Sequence, residues 1–451
     1  MNITMDEFKA RRDKVLEKLA PNSIAILPAA SIKQRNSDTE YPFRQNSDFY
    51  YLTGFNEADA VLVLSKGAQG QAQEYVHGFT LFCLPKDETA ELWTGKRAGM
   101  DGAKRLYGAD AAYPLAEIDR HLPAMLQNKT KLYYHFAEEQ EFDKRLNAWL
   151  KQAKQKALAS GRATGQKSNS FPEAMVDISA IVHELRLYKS ALEVETMRRG
   201  AKISADAHTK LMRTVKPGLN ERQVEAEFIY QIMQQGCKTV AYTTIVGGGA
   251  NACTLHYTAN DAVLQAGDLV LIDAGGEYNN YAADITRTFP INGKFTVAQA
   301  AIYNLVLAAQ QQGIKAAQPG QRWSAIQEAI VEVIVAGLRE LNILQGTQQQ
   351  LIKKQAYRRF YMHSSGHWLG LDTHDVGKYR LQGDYRVLEL GMVLTVEPGL
   401  YFAADDATID AKWRGIGVRI EDDVLITATG NEVLTAAAPK TIAEIEALMI
   451  G

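Results

Sequence analysis

In the first third of the chain the apolar runs Ser23 to Leu27, Ala60 to Ser65, Phe79 to Leu84 and Lys131 to His135 alternate with stretches that mix charged and apolar residues at helical spacing. That alternation predicts an α/β domain. The opening segment, Met1 to Leu19, has the composition of an amphipathic helix. Between Gly161 and Pro172 the chain becomes polar and rich in breakers, which predicts a linker or long surface loop. The domain division is therefore expected at 1–172 and 173–451, with a linker helix region reaching to about 180.

Beyond the linker one order of elements occurs twice. Ser190-Ala191-Leu192-Glu193 is a capping box that opens a long helix closed by Lys216-Pro217-Gly218, and a second helix runs from Asn220 to Gly236. The β-branched run Leu269 to Ile272 then meets Asp273, and Ala283 to Phe289 repeats that plan around Asp284, with a Gly/Asn-rich stretch between them. Two antiparallel strands are predicted, joined by a tight turn centred on Tyr278-Asn279 that sets Asp273 directly across from Asp284. Thr296-Val297-Ala298-Gln299 next opens a helix, Pro319-Gly320 closes that segment, and a further helix spans Ser324 to Gly337. A second pair of acidic strands follows, Val393 to Gly399 with Glu397 and Gly417 to Asp423 with Glu421. The recurrence predicts a pseudo-two-fold domain with its acidic hairpins facing each other across the axis.

A length of 451 residues allows about three domains, of which the pattern supports two. With 46% apolar residues and a net charge of −2, a buried core is readily built and no surface for a polyanion is advertised, so nucleic acid is not an expected partner. No apolar run approaches the roughly 20 residues that span a bilayer, and the amphipathic start does not read as a signal peptide. A soluble, cytoplasmic protein with no membrane partner is expected. The three cysteines, Cys83, Cys237 and Cys253, are scattered without metal-type spacing, which fits a reducing compartment and gives them no role.

Each of Asp273, Asp284, Glu397 and Glu421 lies on or at the end of an apolar strand. One such acid is ordinarily an exposed or capped residue, but four in matched hairpins ask for cations, because like charges on a sheet face are destabilising. The segment His363-Ser364-Ser365-Gly366-His367-Trp368-Leu369-Gly370-Leu371-Asp372-Thr373-His374-Asp375-Val376-Gly377 adds three of the nine histidines, spaced by small residues. A lone histidine is usually structural; three among glycines beside an acidic site point to chemistry. One imidazole with four carboxylates is an oxygen-rich set, better suited to manganese, cobalt or iron than to structural zinc. Four negative charges balance two divalent ions. Two such ions about 3.5–4 Å apart hold a bridging hydroxide and polarise the carbonyl it attacks, which is hydrolytic chemistry.

His256-Tyr257, Leu271 to Gly275, Asp284 to Thr288, His363 to Gly377, Thr395 to Gly399 and Arg419 to Asp422 together resemble the pita-bread metallopeptidases, and among them the Xaa-Pro aminopeptidase (aminopeptidase P) family. Arg35 to Phe49 and Leu52-Thr53-Gly54-Phe55 resemble that family's N-terminal domain, so the likeness runs almost end to end. It implies an α/β (α+β) fold: an N-terminal α/β domain followed by a pseudo-two-fold pita-bread catalytic domain. It also implies an enzyme that releases the N-terminal residue from peptides with proline second, using two divalent ions per chain, Mn2+ or else Co2+ or Fe2+. Carried over by position, Asp273, Asp284, His367, Glu397 and Glu421 are the implied metal ligands. Asp284 and Glu421 are implied to bridge both ions, and Glu397 to shuttle a proton as well.

His256 and His374 resemble the family's substrate-side histidines, and His363 the one lining the proline pocket. Arg419, two residues from Glu421 on one strand face, resembles an arginine that orients the acidic cluster; a plain buried ion pair is the alternative. Trp93 matches a tryptophan that reaches a neighbouring subunit's site, with a plain core or surface residue as the alternative; the implied assembly is a homo-oligomer, a dimer or tetramer. Ser364-Ser365-Gly366 fills an interval where relatives vary, which leaves the loop's path open. His183-Glu184-Leu185-Arg186 is not a zinc-protease helix, because Leu187 stands where His-Glu-x-x-His needs its second histidine. The nearest alternative is a prolidase, which shares the ligands but takes only dipeptides. Methionine aminopeptidase fits less well, given the large N-terminal domain. Retention of every ligand speaks against a non-catalytic peptide-binding module and a metal-free creatinase-like enzyme.

Overall fold

Four of the six strands of the N-terminal sheet are the expected apolar runs. They are β1 (Ser23–Pro28), β2 (Val61–Lys66), β3 (His77–Cys83) and β5 (Lys131–Tyr133), joined by β4 (Ala111–Pro114) and β6 (Ala174–Val176) in the order β4-β3-β2-β1-β5-β6. The computed structural model describes residues 3–67, 77–164 and 171–450. These divide into two compact units, Ile3–Arg186 and the chain from Leu187 onward.

In the first unit the helices are α1 (Met5–Lys18), α2 (Ser47–Thr53), α3 (Glu88–Thr94), α4 (Gly99–Tyr107), α5 (Ile118–Met125), α6 (Gln140–Thr164) and α7 (Ser179–Leu187). Alternate residues Ile24 and Ile26 of β1 and Val61 and Val63 of β2 pack on Ile118 and Leu122 of α5 and on Leu146 and Trp149 of α6. Side chains of this size, once buried, each contribute about 1.5–3 kcal/mol. Helix α6 occupies the start of the expected linker, and residues 165–170 lie outside those described. After Pro172, β6 pairs in parallel with β5, so the first unit continues to Arg186.

The second unit begins with α8 (Ala191–Thr214) and α9 (Glu221–Gln234), followed by β7 (Thr239–Val240), β8 (Ile245–Gly248), β9 (Leu269–Asp273), β10 (Gly276–Tyr278), β11 (Tyr281–Ala282) and β12 (Thr286–Pro290). Then come α10 (Val297–Ala316), α11 (Ser324–Glu340), α12 (Gln348–Lys353), β13 (Arg380–Leu381), β14 (Asp384–Tyr385), β15 (Val393–Val396), β16 (Gly399–Tyr401), β17 (Gly417–Arg419), β18 (Asp422–Ile426), β19 (Asn431–Val433) and α13 (Ile442–Ile450). The helix pairs α8/α9 and α10/α11, each followed by an acidic hairpin, are the recurrence expected of a pita-bread fold. Full capping boxes at Ser190, Asn220 and Thr296 start α8, α9 and α10 where the spacing placed them. Val270, Ile272 and Phe289 of the first hairpin and Leu394, Val396 and Val424 of the second share one core with Phe228, Ile302, Val306 and Ile330 from the helices. Among the described residues no helix is long and apolar enough to cross a membrane.

The first hairpin corrects one expectation. Its turn lies at Asn279-Asn280, both with positive φ of 50° and 66°, and it pairs Tyr278 with Tyr281 and Asp273 with Thr286. Asp273 is therefore not directly across from Asp284, whose opposite position in this register is Gly275. Asparagine tolerates the left-handed region that a two-residue hairpin turn needs at both positions, which moves the turn one residue along and the register by two. Because strand side chains alternate with period two, that shift keeps both carboxylates on one face, now as diagonal neighbours. In the second hairpin the carboxylates do stand opposite one another. Val396 pairs with Asp422 and Gly399 with Arg419, which brackets Glu397 and Glu421 opposite one another.

Candidate metal centre

Asp284 and Glu421 are buried, and with His367 they bring three donor atoms within 4.8 Å of one another. His367 Nε2 is 3.4 Å from Asp284 Oδ2 and 3.8 Å from Glu397 Oε1. Its position follows from backbone pairing: Trp368 bridges Leu394 of β15, the Thr395 amide donates to the His367 carbonyl at 2.9 Å, and Leu369 donates to Val393 at 3.0 Å. Gly366 permits this approach, since a Cβ there would lie 1.9 Å from the Thr395 carbonyl oxygen. Nδ1 of His367 faces the Trp368 carbonyl at 3.0 Å, so that nitrogen carries the proton and the Nε2 lone pair points at the acids. From the loop between β7 and β8, Tyr242 places its hydroxyl 2.5 Å from Oδ1 of both Asp273 and Asp284 on the first hairpin.

A phenol has one proton to donate. With both carboxylates ionised, one of these two contacts would be oxygen against oxygen, so the cluster needs another positive charge. The carboxyls respond in that way. Burial, and then Asp273, hold Asp284 well above its usual range; burial, and then Asp284, do the same to Glu421. Burial and Glu421 push Glu397 up to about 8. Asp423, which accepts from the Asp284 amide at 3.2 Å, is raised too, and its Oδ1 is buried without a partner. Four acids and one imidazole with the correct free nitrogen fit divalent cations, which supply the missing charge.

Several buried groups hold this cluster in place. Thr286 donates to Glu421 Oε2 at 2.8 Å, and Arg287 donates to the Glu421 carbonyl at 2.5 Å and to Asp422 Oδ1 at 2.7 Å. Arg419 donates to Asp273 Oδ2 at 2.6 Å, to Thr286 at 3.2 Å and to the Tyr401 hydroxyl at 2.9 Å. It thus makes the ion pair with Asp273 on the facing hairpin, not with its strand neighbour Glu421. Tyr401 in turn lies 2.9 Å from His363 Nε2, while Nδ1 of that ring faces the Ser364 carbonyl at 2.8 Å. Burial, then Arg419, lower His363 to about 4, so it is neutral near pH 7.

The His374 ring stands 4.3 Å from the His367 ring at 60°, on the exposed side, and burial and then His367 lower its pKa. His256 is exposed as well, and lies near enough to influence both His363 and His374 electrostatically. Nine of the ten predicted site residues therefore gather in the second unit. The tenth, Trp93, belongs to α3 of the first unit and is 86% exposed. Tyr242, Tyr401 and Thr286 were not anticipated. Tyr401 carried a signal, because it lies in phase with Glu397 and Gly399 on alternating positions; Tyr242 sits in a stretch with no pattern to mark it.

Residues 195–428 match the model of metallopeptidase family M24, and residues 8–134 match that of the aminopeptidase P N-terminal domain. The chain belongs to metallopeptidase family M24. Within that family its similarity is to Xaa-Pro aminopeptidases: the Escherichia coli K12 protein of that name is 45% identical over 99% of this chain and 98% of its own length. Among solved structures, aminopeptidase PepP of Pseudomonas aeruginosa aligns with a TM-score of 0.94 at 49% identity, covering 100% of this chain and 98% of that one. Zn-substituted E. coli aminopeptidase P in complex with product aligns with a TM-score of 0.94 at 44% identity, covering 100% of this chain and 99% of that one.

Proposed function

We propose that Asp273, Asp284, His367, Glu397 and Glu421 hold two divalent ions, with Mn2+ the best match to the oxygen-rich set, and that the enzyme removes the N-terminal residue from peptides with proline in second place. The convergence of the Asp284, His367 and Glu421 donors within 4.8 Å, in a cluster short of positive charge, carries this reading. When bound, such ions lower the pKa of a water molecule and polarise the carbonyl it attacks.

The chain's own groups supply the rest. Glu397, at the edge of the cluster 3.8 Å from both His363 Nδ1 and His367 Nε2, accepts a proton from the attacking water and passes it to the leaving nitrogen. His374, neutral at pH 7, donates to the carbonyl oxygen as charge develops on it, with His256 beside it. An Xaa-Pro bond is a tertiary amide without an N–H, so a peptidase that grips the scissile nitrogen handles it poorly. Nothing in this constellation requires that donor. Neutral His363, packed at 5.0 Å against the Tyr361 ring and 5.5 Å from the Tyr401 ring, offers an uncharged aromatic wall to the pyrrolidine. The acidic cluster attracts the free amino terminus, which accounts for exopeptidase action. Assembly as a homo-oligomer with exposed Trp93 serving a neighbouring subunit, and a cytoplasmic location, belong to the same reading.

The experiment compares Xaa-Pro-Yaa, Xaa-Ala-Yaa, acetylated Xaa-Pro-Yaa and the dipeptide Xaa-Pro at equal concentration. Cleavage of the first alone is expected. Efficient cleavage of the alanine peptide contradicts proline specificity, and turnover confined to the dipeptide moves the assignment to prolidase.

A further inference from the structure

The first unit holds its own convergence of metal-type donors. Asp48 of α2, His135 just after β5 and His183 of α7 come from three distant segments, yet their donor atoms all lie within 4.8 Å of one another. Nε2 of each imidazole is 3.0 Å from the same oxygen, Oδ2 of Asp48. Donors around a tetrahedral zinc-type ion at its usual bond lengths stand roughly 3.3 Å apart, so these separations are close to those of a coordination sphere.

Other contacts set the three side chains up as ligands. His135 is only 8% exposed, and its Nε2 makes no aligned hydrogen bond although it points into the cluster. Its Nδ1 lies 3.3 Å from Asp177 Oδ1, the carboxylate contact that keeps a ligating histidine in the tautomer with a free Nε2. Asp48 accepts from Arg186 Nη1 at 2.7 Å on Oδ1, which leaves Oδ2 to face the imidazoles. Burial opposes ionisation of Asp48, but Arg186, ahead of the imidazoles, outweighs it and holds the carboxyl well below its usual range; the same carboxylate raises His135, so an ion would enter by displacing a proton. His183 is 32% exposed, which gives an ion a path in and a position for water.

We propose that Asp48, His135 and His183 form a further divalent-metal site, of two imidazoles and one carboxylate, in the N-terminal unit. Its two nitrogens favour Zn2+ or Co2+ over the harder ions suited to the oxygen-rich centre of the second unit. Arg186 and Asp177 hold the ligands from behind.

The test uses the full chain, stripped with chelator and dialysed against Co2+, with bound metal counted by elemental analysis and the visible spectrum recorded. Wild type is compared with His135→Ala, with His183→Ala at the more exposed position, and with Asp284→Asn. Each histidine variant should bind one equivalent fewer than wild type and lose an intense tetrahedral cobalt band. Asp284→Asn should keep that band. Because the readout is a difference between variants, it holds whatever number of ions the second unit takes. Equal metal in wild type and both histidine variants would show a cluster held by hydrogen bonds alone and overturn the proposal, and so would loss of the band in Asp284→Asn. If His135→Ala does not fold, His183→Ala decides.

Discussion

Replacing Gly275 by alanine tests how the first hairpin builds the metal centre. A Cβ at that position would lie 1.6 Å from the Ala283 carbonyl oxygen, 2.6 Å from its carbon and 3.2 Å from the Asp284 nitrogen. Carbon and oxygen without a bond between them settle no closer than about 3.3 Å, so the strands must part by roughly 1.7 Å. The two flanking bonds, Ala274 N–H to Ile285 O at 3.0 Å and Ala283 N–H to Gly276 O at 3.2 Å, would then be out of reach. Losing both costs about 2 kcal/mol net, and with the remaining strain the destabilisation should reach about 2–4 kcal/mol. The same movement carries Asp284 away from Tyr242 and His367. Metal affinity should fall about 10- to 100-fold, the range seen when the support behind a ligand is removed. Equilibrium dialysis with Mn2+ and thermal denaturation read the two effects. A folded Gly275→Ala protein with wild-type metal affinity would refute the hairpin geometry described above.

His374→Ala should keep its metal and lose roughly 30- to 1,000-fold in kcat, corresponding to about 2–4 kcal/mol for a donor to the developing oxyanion; loss of metal would make His374 a ligand instead. The chelated protein should lose stability as pH rises from about 6.5 to 8.5. Glu397, with its folded pKa of about 8, and the raised Asp284 and Glu421 hold more protons folded than unfolded, so their stabilisation is present at low pH and vanishes as pH passes the folded values. The gap in Tm between metal-loaded and chelated protein should therefore widen over that interval, where His208 and His363, both lowered to about 4, stay neutral. A gap that narrows with pH would contradict this.

The four acids were legible because each interrupts an apolar strand, where a carboxylate without a partner is costly. His367 was legible through the small residues around it, since Gly366 exists for the close approach to Thr395. The exact pairing of Asp273 was not, because Asn279-Asn280 and Tyr278-Asn279 are both plausible turn centres by composition and only backbone dihedrals separate them. Arg419 lies among the acids, but a strand pattern does not say which carboxylate on a facing hairpin it will meet. Tyr242 reaches Asp273 and Asp284 from a loop with no periodicity. The Asp48, His135 and His183 convergence had no linear trace at all, since its members are brought together by β5, α2 and α7, and the His183 segment resembled only an incomplete metalloprotease motif. Similarly, the polar run after Gly161 marked a break in pattern, while β6 pairing with β5 carries the first unit on to Arg186.

The most direct test of the central claim is a metal titration of activity. Protein stripped with chelator is titrated with Mn2+ while hydrolysis of an Xaa-Pro-Yaa peptide is followed and bound metal is counted. Activity should be absent at the start and should rise to a plateau as occupancy of the centre reaches two ions per chain, with Glu397→Gln inactive throughout. Full activity in rigorously metal-free protein would contradict the account.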